Sequence, residues 1–408
     1  MKKKYIFLII IVLLSLGIYF WFFHKDKSLK YIPENADVVV LVDVKRATRQ
    51  YIFSFLMHPS KWSEDSEKDK NKTSISKSGL KIPDFLQIFH LRNTKISEWY
   101  TVLEIENKAK FSEFLKSRKF VNNGKDQFKN NEFFVKIDGE KCIVGTSNLN
   151  FNTIGKPFSQ HFRNNNLNAD SFMGEGLGSI SFLSELRTQN FSIDVKDDEI
   201  EIKNEQNSSD FSALISGLNK TTQFLDAELN SENIKKISSL FNENITDSET
   251  VNHLKMSAKL SEVNDTIISY GYDDNFNEIE KVSYQKIVQP DYEIVLQTSD
   301  PQKTVEYFQR KKWMNVQNQF TAIPFQPNLI SVNKNLVSIK STRKPFKLNE
   351  TKNQNYIFIK NNPLLLTSFK TLNNQISKNV EYIFYGNENQ NYTVKIKFKK
   401  EKYPLILR

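Results

Sequence analysis

The chain of 408 residues contains one cysteine, Cys142, so it can form no internal disulfide and must be held together by its core. Glycine and proline are scarce, at 12 and 11, which excludes collagen-like and low-complexity classes and leaves a globular chain long enough for two or more domains. The five histidines, His24, His58, His90, His161 and His253, are isolated from one another, and no H-E-x-x-H, G-x-S-x-G or G-x-x-x-x-G-K-[ST] occurs. Hydrolytic or metal chemistry needs a tuned base, nucleophile or ligand set at close range. The sequence therefore presents no catalytic, cofactor-binding or metal site.

Three near matches have plainer explanations. Gly174-Glu175-Gly176-Leu177-Gly178-Ser179 approaches a dinucleotide fingerprint, but the third glycine position is Ser179 and no strand clearly precedes it. Asp273, Asn275 and Asn277 with Glu278 gather hard oxygens suited to Ca²⁺, yet a calcium loop needs glycine next and a glutamate further on, where this chain has Glu278 and Tyr284. Asp and Asn are also what hairpin turns prefer. Cys142 falls in an alternating stretch, where a lone thiol is a small core residue.

Lysine and arginine number 57 against 47 acids, a net charge of +10, but the excess is local. Residues 1–30 hold Lys2, Lys3, Lys4, Lys25, Lys27 and Lys30 against Asp26, and residues 395–408 hold Lys395, Lys397, Lys399, Lys400, Lys402 and Arg408 against Glu401. Between those ends the chain is neutral, whereas a nucleic-acid binder carries a basic face through its folded body. No nucleic-acid partner is expected.

Tyr5 to Phe23 is a run of nineteen uncharged residues, long enough at about 1.5 Å per residue to cross a hydrocarbon core of about 30 Å. It reads as a signal anchor, with Tyr19, Phe20, Trp21, Phe22 and Phe23 as an aromatic belt. No small-x-small cleavage site follows, and no cysteine in the first thirty residues could accept lipid. The expectation is a cytoplasmic tip (1–4), a bilayer contact through 5–23, and the bulk of the chain outside the cytoplasmic membrane.

Beyond the anchor, Val38 to Val44 reads as a buried strand followed by a helix over about 45–56. Residues 61–78, rich in alternating charge, read as a solvated loop. Then a repeat emerges at an offset of 193: strand 99–105 with a helix from Lys108, and strand 292–298 with a helix from Pro301. The two match at Val102/Val295, Leu103/Leu296, Lys110/Lys303, Glu113/Glu306 and Lys119/Lys312, and the caps Asn107 and Asp300 coincide. Each helix is followed by a hairpin, 133–146 and 329–340. Further hairpins read over 191–202 and 267–287, and Val394, Ile396 and Phe398 alternate with Lys395, Lys397 and Lys399 as a strand with a solvated basic row.

The fold expected is α+β: a single transmembrane helix followed by two related β-α-β-β-type units, at 24–205 and 291–408, with connecting helices and a hairpin over 206–290. The entry through Ile32-Pro33-Glu34-Asn35-Ala36-Asp37 into Val38–Val44 resembles the opening of uncharacterised membrane-anchored extracytoplasmic proteins common in the Bacteroidetes. That resemblance covers the anchor and the first sixty or so residues, and implies localisation without implying an activity. The function expected is a non-enzymatic envelope protein with a scaffolding or interaction role and an envelope protein as partner. The alternative is a binding module in which some of the 32 Phe and 15 Tyr line a groove for a hydrophobic or carbohydrate ligand. An enzyme would instead show histidine and carboxylates converging in a pocket.

Overall fold

The structure, a computed structural model, describes residues 19, 23–61, 78–159, 167–184, 188–204, 210–240, 250–274, 276–323, 328–341, 354–365 and 378–408. The chain divides into two compact units, 1–205 with 401–408, and 206–400.

The first unit is built on a ten-stranded antiparallel sheet. Its strands are β2 (Ala36–Asp43), β3 (Phe85–Leu91), β4 (Trp99–Glu104), β5 (Val121–Asn122), β6 (Gln127–Lys129), β7 (Phe134–Asp138), β8 (Lys141–Gly145), β10 (Gly178–Leu183), β11 (Thr188–Val195) and β12 (Glu199–Asn204). Their order across the sheet is β12-β11-β10-β2-β3-β4-β8-β7-β6-β5. A short separate pair joins β1 (Ser28–Leu29) to β9 (Leu167–Asn168). Helices α1 (Val44–Met57), α2 (Lys108–Ser117) and α3 (Phe151–Ser159) are excursions between strands.

The second unit repeats that plan. Strands β13 (Leu225–Asn230), β14 (Val251–Tyr272), β15 (Glu278–Thr298), β16 (Leu329–Asn333), β17 (Leu336–Lys340), β18 (Asn355–Lys360), β19 (Val380–Glu388) and β20 (Asn391–Phe398) are ordered β20-β19-β18-β13-β14-β15-β17-β16, again all antiparallel. Helices α4 (Ser212–Asn219), α5 (Ser231–Leu240) and α6 (Pro301–Arg310) accompany them. With β2 set against β13, every shared neighbour follows, and α1 and α2 occupy the chain positions of α5 and α6.

The capping chemistry repeats residue for residue. Asp43 accepts from Arg46 N at 2.8 Å and Asn230 from Asn233 N at 3.0 Å. Asn107 accepts from Lys110 N, and Asp300 from Lys303 N, both at 3.0 Å. Past α2 and α6 the chain turns through a left-handed lysine, Lys119 (φ 60°) and Lys312 (φ 57°). The next amides then reach back, Phe120 N to Leu115 O at 3.0 Å and Trp313 N to Phe308 O at 2.9 Å. This is a Schellman termination, which satisfies carbonyls that the helix leaves open.

In each sheet the helix that follows β4 or its counterpart β15 covers one face. Phe111 and Leu115 of α2 pack with Val135 and Cys142, and Phe308 of α6 packs with Tyr292, Leu296 and Val337. Burying each such ring contributes about 2–3 kcal/mol. The opposite face differs between the units. In the first, Val39, Leu41, Phe89, Tyr100 and Ile143 form a core with Phe151 and Phe172. In the second, the equivalent register positions are Asp226, Glu228, Ser257, Glu293 and Ser338, flanked by the apolar cluster of Phe211, Leu214, Tyr356, Phe358 and Phe384.

These findings correct the α+β expectation: the protein is mainly β. Residues 206–290 do not merely connect, because β13, β14 and β15 are central strands of the second sheet. Their sequence conceals this, since acids on a buried face break the apolar alternation by which strands are recognised. The transmembrane helix expected over 5–23, and the membrane anchoring drawn from it, are not supported: no helix among the described residues is long and apolar enough to cross a membrane. Apart from Tyr19 and Phe23, that segment lies outside the described residues, as do residues 62–77 of the expected loop.

Left-handed backbone costs a side chain about 1 kcal/mol that glycine escapes. Lys119→Gly and Lys312→Gly are each expected to stabilise their unit by about 1 kcal/mol, read from the urea unfolding midpoint. Destabilisation by either change would show that the lysine side chain, not the turn, holds that helix end.

Candidate functional site

Strands β14 and β15 begin as members of the second sheet and run on past its margin. From Lys259↔Asp291 to Tyr272↔Glu278 they pair, among the described residues, only with each other, as a ribbon about 45 Å long at about 3.4 Å per residue. The corresponding first-unit hairpin, β3 to β4, closes directly beyond His90↔Trp99. The arm is thus an extension of one hairpin of the shared plan.

Its turn lies where the Asp/Asn cluster predicts one. Asp273 N donates to Asn277 O at 2.9 Å, and the Asp273 carboxylate accepts from Asn277 N at 2.8 Å and from Asn277 Nδ2 at 3.1 Å. The expected hard-oxygen group is therefore engaged in shaping the turn; Asn275 lies outside the described residues, and Glu278 opens β15. Among the described residues no group of three His, Cys, Asp or Glu is placed to hold a metal. Phe276 sits at the tip with φ 63° and is 85% exposed. A non-glycine residue held left-handed and an aromatic ring held in water are both unfavourable.

One ribbon face carries Ile268 opposite Val282, Tyr284 opposite Thr266, and Tyr270 and Tyr272 opposite Glu280 and Glu278. All five apolar or aromatic members of that set are exposed, Tyr284 by 76%. Soluble surfaces rarely keep such a contiguous apolar set without a partner. Residues 259–290 also carry six acids against Lys259, Lys281 and Lys286, so the arm is acidic although the chain is basic.

The other chemistry-bearing groups are absorbed into structure. Asp226 accepts from the Tyr356 hydroxyl at 2.6 Å and from Ser257 Oγ at 2.9 Å. Glu228 meets His253 Nε2 at 3.2 Å, and Glu293 pairs with Lys340 at 2.8 Å. Asp226 and Glu228 are 1% exposed. His90 is held by Asp37 at 2.7 Å and by Lys95 O at 2.9 Å, and His58 by Ser54 O at 2.7 Å. His161 lies outside the described residues. The six-residue stretch from Gly174 leads into β10, not into a helix, and a Cβ on Gly178 would lie 2.5 Å from Leu41 O. Glycine is needed there for strand approach.

A cavity of about 170 Å³ in the first unit is lined by Asp26, Tyr31, Lys81, Asp84, Gln87 and Glu104, among others. Lys81 pairs with Glu104 at 2.7 Å, the Tyr31 hydroxyl donates to the same carboxylate, and Lys45 pairs with Asp84 at 2.9 Å. The hydrogen bond from Lys81 holds the Glu104 carboxyl below its ordinary range, aided by Tyr31. Burial, then Glu104, pushes the Tyr31 phenol up. Asp26 is brought down to about 2 by the hydroxyl and then the amide of Ser28. A general base at neutral pH needs the opposite shift. The lining fastens the 24–31 segment to the sheet.

Sequence reading located the hairpin at 267–287 but not its projection, since alternation looks the same whether a strand covers a core or stands in water. The abundant aromatics that suggested a groove include buried rings, such as Phe89, Phe111, Phe211 and Phe308, the exposed set on the arm, and exposed rings elsewhere, such as Phe53 and Phe182. No family model matches the chain, and neither a curated protein nor a solved structure does.

Burial pushes the Cys142 thiol up to about 12, and the residue is fully covered. It is expected to resist a thiol-specific colorimetric reagent at pH 8 in the native protein and to react fully in denaturant; rapid native reaction would place it in an opening of the sheet. For Asp26, a carboxyl lowered from 3.8 to about 2 adds stability that is present above pH 4 and lost as pH falls through 2. Wild type and Asp26→Asn should therefore differ in urea midpoint at pH 6 and converge near pH 2. A difference that survives at pH 2 would exclude the carboxylate as its source.

Proposed function

We propose that this chain is a non-enzymatic interaction protein, with two sheet units serving as a scaffold and the β14–β15 ribbon as its contact element. The observation that carries this reading is the exposed face of Ile268, Tyr270, Tyr272, Val282 and Tyr284, with Phe276 at the tip. An isolated two-stranded ribbon is marginally stable in water, so an arm of this length gains its lasting order from a partner. Tyrosines flanked by charged residues suit a protein surface that combines apolar and polar groups, because the ring supplies large rigid area with a polar end. The acidic balance of the arm disfavours a polyanion as that partner.

The test is site-specific photo-crosslinking in cells that express the full chain. A photo-reactive phenylalanine analogue at Tyr270 should give a discrete protein adduct, while the same group at Asn93, in the corresponding short hairpin of the first unit, should give none. Absence of any adduct from Tyr270, or equal labelling from both positions, would overturn the assignment of contact to the arm.

A further inference from the structure

We propose that the partner of the arm is a second copy of this chain, joined antiparallel through the outer edge of β15 around a two-fold axis at Ser283. The inference rests on the reading of the arm as a contact element and adds the identity of its occupant. Beyond Glu293, which pairs with Lys340 of β17, the β15 edge over 278–290 meets no other strand among the described residues. Its backbone donors and acceptors form a template for strand addition.

The residues along that edge are complementary to themselves. With Ser283 opposite its symmetry mate, Val282 faces Tyr284, Lys281 faces Gln285, Glu280 faces Lys286 and Ile279 faces Ile287. Apolar residues thus meet apolar ones, and each Glu280 meets a lysine twice over by symmetry. Within the chain Lys286 is only loosely engaged, 3.9 Å from Glu262 with both side chains largely exposed. Moving the axis to Val282, a slip of two residues in register, sets Glu280 against Tyr284 and Ile279 against Gln285, so Glu280 loses its lysine and Ile279 its apolar partner. The β14 edge offers no equivalent, since residues 260–272 contain Glu262 and Asp265 but no lysine or arginine. Pairing through β15 produces a four-stranded sheet in which the faces with Ile268, Val282 and Tyr284 of both copies adjoin. Such a contact is isologous and closes on itself, so it yields a dimer and not a filament.

Sedimentation velocity of the purified full chain over a concentration series tests the assignment. Wild type should show a monomer–dimer equilibrium. Glu280→Lys or Lys286→Glu alone places like charges opposite each other twice in the symmetric contact and should weaken the dimer about tenfold. The double variant restores opposite charges and should return the affinity to near the wild-type value. Glu280 and Lys286 are both exposed in the monomer, so far-ultraviolet circular dichroism should be unchanged. A monomeric wild type, a dimer insensitive to the single changes, or failure of the double change to rescue would each overturn self-pairing. A monomeric chain that still yields a Tyr270 adduct with a different protein overturns this inference and leaves the arm as a contact element; a monomeric chain with no adduct defeats both.

Discussion

Each unit depends on one long-range pairing, the return of a late strand to the side of the first. β10 pairs with β2, and β18 with β13, so the strand that begins each unit ends up inside its sheet. Without that closure β2 and β13 would lose one of their two neighbours and stand open along one side. The approach is close enough to demand glycine at position 178, where any Cβ would collide with the Leu41 carbonyl. Because the partners lie far apart in sequence, closing the loop costs entropy before contacts form, and both units belong to the slow-folding topologies.

On this shared frame the two units solve burial differently. The first fills its inner face with Val39, Leu41, Phe89 and Tyr100, which need only shape to pack. The second buries Asp226, Glu228 and Glu293 at the matching positions and satisfies them from Tyr356, Ser257, His253 and Lys340. Such an array adds little net stability over apolar packing, because desolvation offsets the attraction. Breaking one partner is far more costly, so each substitution there constrains its neighbours on the next strand.

Local rules carried the legible part of this fold. Asn107 and Asp300 announce helix starts by side-chain chemistry alone, and the paired Lys119 and Lys312 fall where both helices end. The Asp273 turn is readable for the same reason. What escaped were features set by distant partners. β13 carries acids inward because β14 and β18 supply their donors, and no window of six residues holds that information. The exposed face of the arm escaped because Tyr270 and Tyr284 alternate as core residues do, and only the three-dimensional arrangement shows that nothing among the described residues covers them. The apolar run at 5–23 illustrates the converse: hydropathy alone proposed a spanning helix that no described element supports.

The arm occupies the one kind of position in such a sheet that can lengthen without disturbance. Adding a residue to one strand of a hairpin shifts every side chain beyond it to the other face. Adding one to each strand leaves the existing ladder intact and moves only the tip. The extended β14–β15 hairpin and its short counterpart between β3 and β4 are thus separable by paired insertions, each reversing the face on which the next residues emerge. Arm length is therefore a digital variable: steps of four residues advance the tyrosine-bearing face by a full pleat, whereas steps of two invert it, so reach and orientation at the tip are inherited together.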